Sequence, residues 1–184
     1  MWVKRGLAGL AVASSVLDVP GAASFLGEIP DGIDGVRATL KAMRRLVLQY
    51  RVDPVIRQQA ENIIRYVREK DYAGEAQAIH NWVRDNIRYT RDVNDVETLK
   101  PPPFILETRQ GDCDDKALLT ATLMESIGIP CMFVAIATEI PDEFTHVYTC
   151  ALIGTRWIAS DTTEQQPFGW EPGFVGGRIV RHIK

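Results

Sequence analysis

Paired cysteines are missing from this sequence. It has three, Cys113, Cys131 and Cys150, widely spaced and without a CxxC pair. A disulfide framework and a zinc site are both disfavoured, and a reducing compartment is the simpler setting. A strong charge of either sign is missing too: 21 Lys and Arg against 24 Asp and Glu leave a net charge of −3. No overall field therefore argues for nucleic acid or an anionic membrane. Long apolar runs are also lacking, since the stretch after Arg5 is diluted by Gly and Ser and is too short to span a bilayer. Histidine is scarce, three residues in 184, which narrows any search for a general base. Nothing in the sequence asks for a metal or another cofactor.

What is present, 46% hydrophobic and 24% charged residues, fits a soluble globular protein: one domain, 36–184, after an arm or linker at 1–35. The arm carries turn signals at Pro20-Gly21, Pro30-Asp31-Gly32 and Asp34-Gly35, and at most a short helix from Leu7 to Leu17. Its start, Met1 to Arg5 followed by Gly6 to Ala13, resembles a weak secretion signal. From Val36 apolar residues recur at helical spacing through Tyr50, with Arg37, Lys41, Arg44, Arg45 and Arg51 giving a basic face. Asp53-Pro54 opens a second helix ending near Lys70, and Gly74-Glu75 a third over Ala76 to Asn86. Pro101-Pro102-Pro103 predicts an extended connector from Leu99 to Ile105. Strands are expected over Cys131 to Ala137, Thr145 to Leu152, Arg156 to Ser160 and Arg178 to Ile183.

The chemistry concentrates at Gln110-Gly111-Asp112-Cys113. Asp112 is a helix start signal and Gly128 a stop signal, so the apolar run between them reads as one buried helix with Cys113 in its first turn. Unpaired N–H groups and the macrodipole there favour a thiolate, which makes Cys113 a candidate nucleophile. Its base must come from few residues. His80 lies inside a helix and His182 near the last residues, whereas His146 begins one strand of a hairpin and Asp161 ends the other. With Ile153-Gly154 as the turn, His146 and Asp161 stand directly opposite. With Gly154-Thr155, a type II′ choice, they are diagonal neighbours on the same face, and a one-residue slip separates them. On the favoured register that face also carries Tyr148, Cys150, Leu152, Trp157 and Ala159, an apolar surface able to receive the Cys113 helix. Cys131 and Cys150 are assigned to the core.

Gly111-x-Cys113 at a helix start, Thr145-His146-Val147-Tyr148 opening a strand and Trp157 to Thr163 closing the next resemble the transglutaminase-like (transglutaminase core) superfamily, a papain-like cysteine fold. The likeness runs from about Gly74 to Thr163 and includes the Trp82, Ile87, Tyr89 pattern. It implies an α+β fold, N-terminal helices and a buried nucleophile helix on a small antiparallel sheet. It also implies Cys113 as nucleophile, His146 as general base and acid, and Asp161 as the residue orienting the imidazole, with Gln110 or Tyr89 as oxyanion candidates. The expected activity is a cysteine protease or amidase working through a thioester on a peptide or amide substrate. The alternative is a structural or assembly component of a tailed-phage particle, touching protein partners through residues 1–35 and the basic helix 37–51. The matching settings are cytoplasmic or virion-associated, and a secreted amidase is the third reading. The chain is shorter than transglutaminases with accessory β domains and has no acidic calcium loop.

Overall fold

The computed structural model describes residues 32–90 and 99–184. Most of the arm expected at 1–35, its short helix and its signal-like start lie outside the described residues. Helix α1 (Gly32–Tyr50) begins four residues before the expected Val36 and buries Leu40, Met43, Leu46, Val47 and Tyr50 on one stripe. Helix α2 (Pro54–Ile64) starts where Asp53 accepts from the N–H groups of Val55 and Ile56, and it stops short of Lys70. Helix α3 (Tyr72–Asn86) is capped by Asp71, whose carboxylate accepts from Gly74 N–H at 3.0 Å.

Strand β1 (Arg88–Tyr89) follows, and then the connector expected from Leu99 to Ile105 proves to be largely helical. Helix α4 (Pro102–Thr108) takes its prolines in the first turn, where the backbone N–H has no intrahelical partner to lose. Its last carbonyls are closed by Arg109 in the left-handed conformation, φ 56°. Strand β2 (Gln110–Gly111) pairs in parallel with β1.

Helix α5 (Cys113–Ser126) is buried along all 14 of its residues. It lies between helices α1 to α4 and strand β4 (Phe144–Ile153). Its buried polar groups are each matched. Asp115 pairs with Lys100, Lys116 donates to the Ile87 carbonyl at 2.7 Å, and Thr122 returns a bond to Leu118 O. Glu125 accepts from Cys131 N–H at 2.8 Å and from Arg51. Left unmatched, each such group costs about 1–3 kcal/mol, so these pairings make a core helix of this composition possible.

The sheet adds β3 (Cys131–Ala137), β5 (Arg156–Ser160) and β6 (Arg178–His182) in the antiparallel order β5-β4-β3-β6. The hairpin turn is Gly154-Thr155, since Ile153 pairs with Arg156. Gly154 has φ 61° and Thr155 no positive φ, which is the type II′ arrangement and not the favoured Ile153-Gly154 register. Thr149 Oγ1 donates to Ala117 O at 2.8 Å, so the face carrying Val147, Thr149 and Ala151 receives α5. The face of Tyr148, Cys150 and Ala159, expected in that role, instead forms a second, smaller cluster with Val134 and Ile136 on the other side of the sheet.

Candidate functional site

Two contacts fix the start of α5. Asp112 accepts from Asp115 N–H at 3.0 Å, and Asp115 in turn holds both the backbone N–H and the ammonium of Lys100. Gly111 is required by space: a Cβ there would lie 2.5 Å from the Asp115 Cβ. Cys113 follows directly and is 6% exposed. Its thiol donates to Asp114 Oδ1 at 3.6 Å and lies beside the Val147 N–H.

The expectation of a thiolate at this helix start is not met in the resting domain. Burial first, then the carboxylates of Asp114 and Asp112, push the Cys113 thiol well above its ordinary value, and the Val147 N–H only partly opposes them. The backbone N–H groups of this first turn favour a thiolate, but the acidic side chains in the same turn oppose them.

His146 stands at a bulge in β4. Ile136 pairs with His146 but Ala137 with Phe144, leaving Thr145 as the extra residue. Phe144 and Val147 therefore both enter the helix-side core, and the imidazole lies beside the Tyr148 ring at 6.2 Å. His146 also lines a cavity of about 20 Å³ with Asp114, Val36, Thr39, Leu40 and Val147. Asp161, 1% exposed, is the first residue past β5, and its Oδ2 is 2.8 Å from His146 Nε2. They meet as the diagonal pair of the Gly154-Thr155 register. Cys113 reaches the same end of the sheet through Val147, the residue after His146.

The two oxyanion candidates part company. Gln110 Oε1 accepts from Arg88 Nη2 at 2.9 Å. Tyr89 pairs with Gly111 in the β1–β2 register, on the side of that ladder facing Asp115 and the start of α5, and is 43% exposed.

Two buried residues near Asp161 were not singled out by the sequence reading. Lys116 is 2% exposed, and burial lowers it to about 8 despite the favourable neighbouring charges of Asp161 and Asp85. His80 is fully buried against Ser160. The available signal was a polar residue inside an apolar stripe, as His80 follows Ile79 and Lys116 precedes Ala117. Among the described residues no group of three or more His, Cys, Asp or Glu side chains is placed to hold a metal ion. No helix among them is long and apolar enough to cross a membrane.

A helix opening on a buried cysteine and packed on a small antiparallel sheet defines an α+β protein of the transglutaminase-like fold. The sequence matches the transglutaminase-like superfamily over residues 57–162, more than half of its length, and the chain belongs to that superfamily. No curated protein matches it in sequence. Among solved structures it is similar to a candidate protease from Parabacteroides distasonis, with TM-score 0.56 and 11% identity over 71% of this chain and 26% of the other. It is also similar to a candidate cysteine protease from Cytophaga hutchinsonii, with TM-score 0.52 and 16% identity over 76% and 53%. At these identities the likeness is one of fold, and this chain spans about a quarter and about half of those two.

Proposed function

We propose that this domain is a cysteine hydrolase of peptide or amide bonds, with Cys113 as nucleophile, His146 as general base and acid, and Asp161 orienting the imidazole. The observation that carries the reading is the 2.8 Å bond from His146 Nε2 to the buried Asp161 carboxylate, at the sheet end where the Cys113 thiol contacts the next residue's N–H. A carboxylate accepts, so Nε2 holds the proton and Nδ1 is the nitrogen with a lone pair for the thiol.

Because the resting thiol is neutral, proton transfer to His146 accompanies attack rather than preceding it. The S–C bond forms as Nδ1 takes the thiol proton, and that proton then goes to the departing amine as the C–N bond breaks. Water adds to the thioester with its proton taken by His146. The C–S bond breaks and the proton returns to sulfur. The Cys113 backbone N–H in the first turn of α5 is one oxyanion donor and the Tyr89 hydroxyl the favoured second. Hydrolysis is the first choice over transfer to an amine because water resolves the thioester without a second binding site.

The test is a screen of denatured proteins and peptide pools with the wild type, Cys113→Ala, His146→Ala and Asp161→Asn. Cleavage by the wild type should vanish in Cys113→Ala and fall about 100- to 10,000-fold in the other two. Cleavage that survives Cys113→Ala would overturn the proposal. The assembly-component alternative leans on residues 1–31, which are outside the described set, and on the basic side of α1. Cross-linking and sizing of the intact chain decide it, a monodisperse monomer counting against it.

A further inference from the structure

His80 takes no part in the proposed proton transfers, yet it is the one imidazole held on both nitrogens inside the core. Its Nε2 lies 3.1 Å from the Gln166 carbonyl oxygen and its Nδ1 3.1 Å from Ser160 Oγ. A carbonyl only accepts, so Nε2 carries the proton, and Nδ1 accepts from the Ser160 hydroxyl. Arg84 donates to the same carbonyl at 3.0 Å, and Phe168 meets the ring edge-on at 5.8 Å. One ring therefore holds residues 160, 166 and 168, both ends of the segment that leaves β5.

Asp161 lies inside that segment. The β4–β5 ladder makes its last pair at Thr149 and Ser160, so Asp161 is beyond the reach of strand pairing. What locates it are loop contacts: the Thr163 N–H on Oδ1 at 2.9 Å, the Thr120–Thr162 hydroxyl pair at 3.3 Å, and the anchor of Ser160 on His80. We infer that His80 is a positioning residue, clamping the 160–168 segment so that the Asp161 carboxylate meets His146 Nε2. The inference deepens the proposed function and rests on its assignment of His146 and Asp161. Arg84, Asp85 and Asp161 are the charged groups that face the ring; burial, with Arg84 on its side, outweighs the Gln166 carbonyl and the two carboxylates and lowers the ring's value.

The experiment reads the His146–Asp161 bond directly, as the slowly exchanging Nε2–H proton resonance of His146 in protein carrying ¹⁵N-labelled histidine. Asp161→Asn assigns it by removing the charged acceptor. Ser160→Ala and His80→Ala should each abolish or broaden that resonance. His80→Asn, whose Oδ1 stands where Nδ1 stood and can accept from Ser160, should retain it. Thermal unfolding identifies which variants are folded, and Ser160→Ala decides the matter if His80→Ala is not. Where cleavage is measurable, Ser160→Ala should lower kcat about 10- to 100-fold with KM unchanged, the effect of a catalytic group displaced by a fraction of an ångström. A resonance that persists unchanged in folded Ser160→Ala would overturn the inference and leave His80 as a core filler. If the resonance depends on His80 while no Cys113-dependent cleavage is found, the clamp stands and the proposed hydrolysis falls.

Discussion

Cys113 has two carboxylates close to its sulfur, and they decide its resting chemistry. A thiol held well above its ordinary value of 9.0 is almost wholly protonated at neutral pH, so its spontaneous reactivity is low. Alkylation by iodoacetamide, followed by intact-mass analysis, should be slower at pH 7 than for an exposed cysteine and should climb about tenfold per pH unit beyond pH 9. A rate that levels off near neutrality would show an already ionised sulfur and sink this account. Replacing Asp114 by Asn removes one of the charges that hold the proton on, so labelling at pH 8 should accelerate. At this scale the meeting of His146 and Asp161 was readable in the sequence, because each sits at a strand end of one hairpin. The state of the thiol was not readable, since it depends on burial and on how the Asp112 and Asp114 side chains turn.

Among the elements, the start of α5 and the β4–β5 hairpin matter most, and their glycines separate them experimentally. Gly111→Ala puts a methyl 2.5 Å from Asp115 Cβ, and the first turn of α5 must move. Overpacking of this kind costs about 1–3 kcal/mol. Denaturant unfolding should show that loss together with abolished cleavage. Gly154→Ala strains a residue at φ 61° in an open turn, costing about 1 kcal/mol, and should leave cleavage intact. Equal loss of activity in both would mean that the site tolerates no displacement of the hairpin. The hairpin also shows where pattern reading stops. Strand bounds were legible from β-branched runs, but the register turned on one residue of turn chemistry. The face presented to α5 turned on the Thr149 bond to Ala117 and the bulge at Thr145, neither of which periodicity encodes. Likewise the triple proline marks the start of α4 equally as well as a connector, and tertiary packing of Ile105 and Leu106 selected the helix.

For the whole molecule, stability should peak between about pH 6.5 and 9. Burial lowers His80 from its ordinary 6.5, so below that pH the unfolded chain takes up a proton that the folded one refuses, and stability declines as pH falls. On the alkaline side Cys113, Cys131 and Cys150 all have raised values, the last to about 12, so above 9 the unfolded chain ionises first and stability declines again. Lys116, lowered to about 8, works in the opposite sense between there and 10.5, one group against three. Urea midpoints from pH 4 to 10 test this. His80→Asn should flatten the acid limb and Cys150→Ala should shallow the alkaline one. A midpoint that keeps rising past pH 9.5 would contradict the balance. The α+β layering was legible because helical periodicity gives way to strand-like runs at Pro130, whereas the pairing of β6 with β3 required contacts distant in sequence.

Helix α5 has no face in water, which ties the candidate nucleophile to the most protected backbone in the domain. Its amides can meet solvent deuterium only when the surrounding layers come apart, so their exchange should slow to the rate set by global opening. A thiol mounted on such a helix cannot be retuned by loosening its own support, and evolution of new specificity would have to work through the peripheral loops instead.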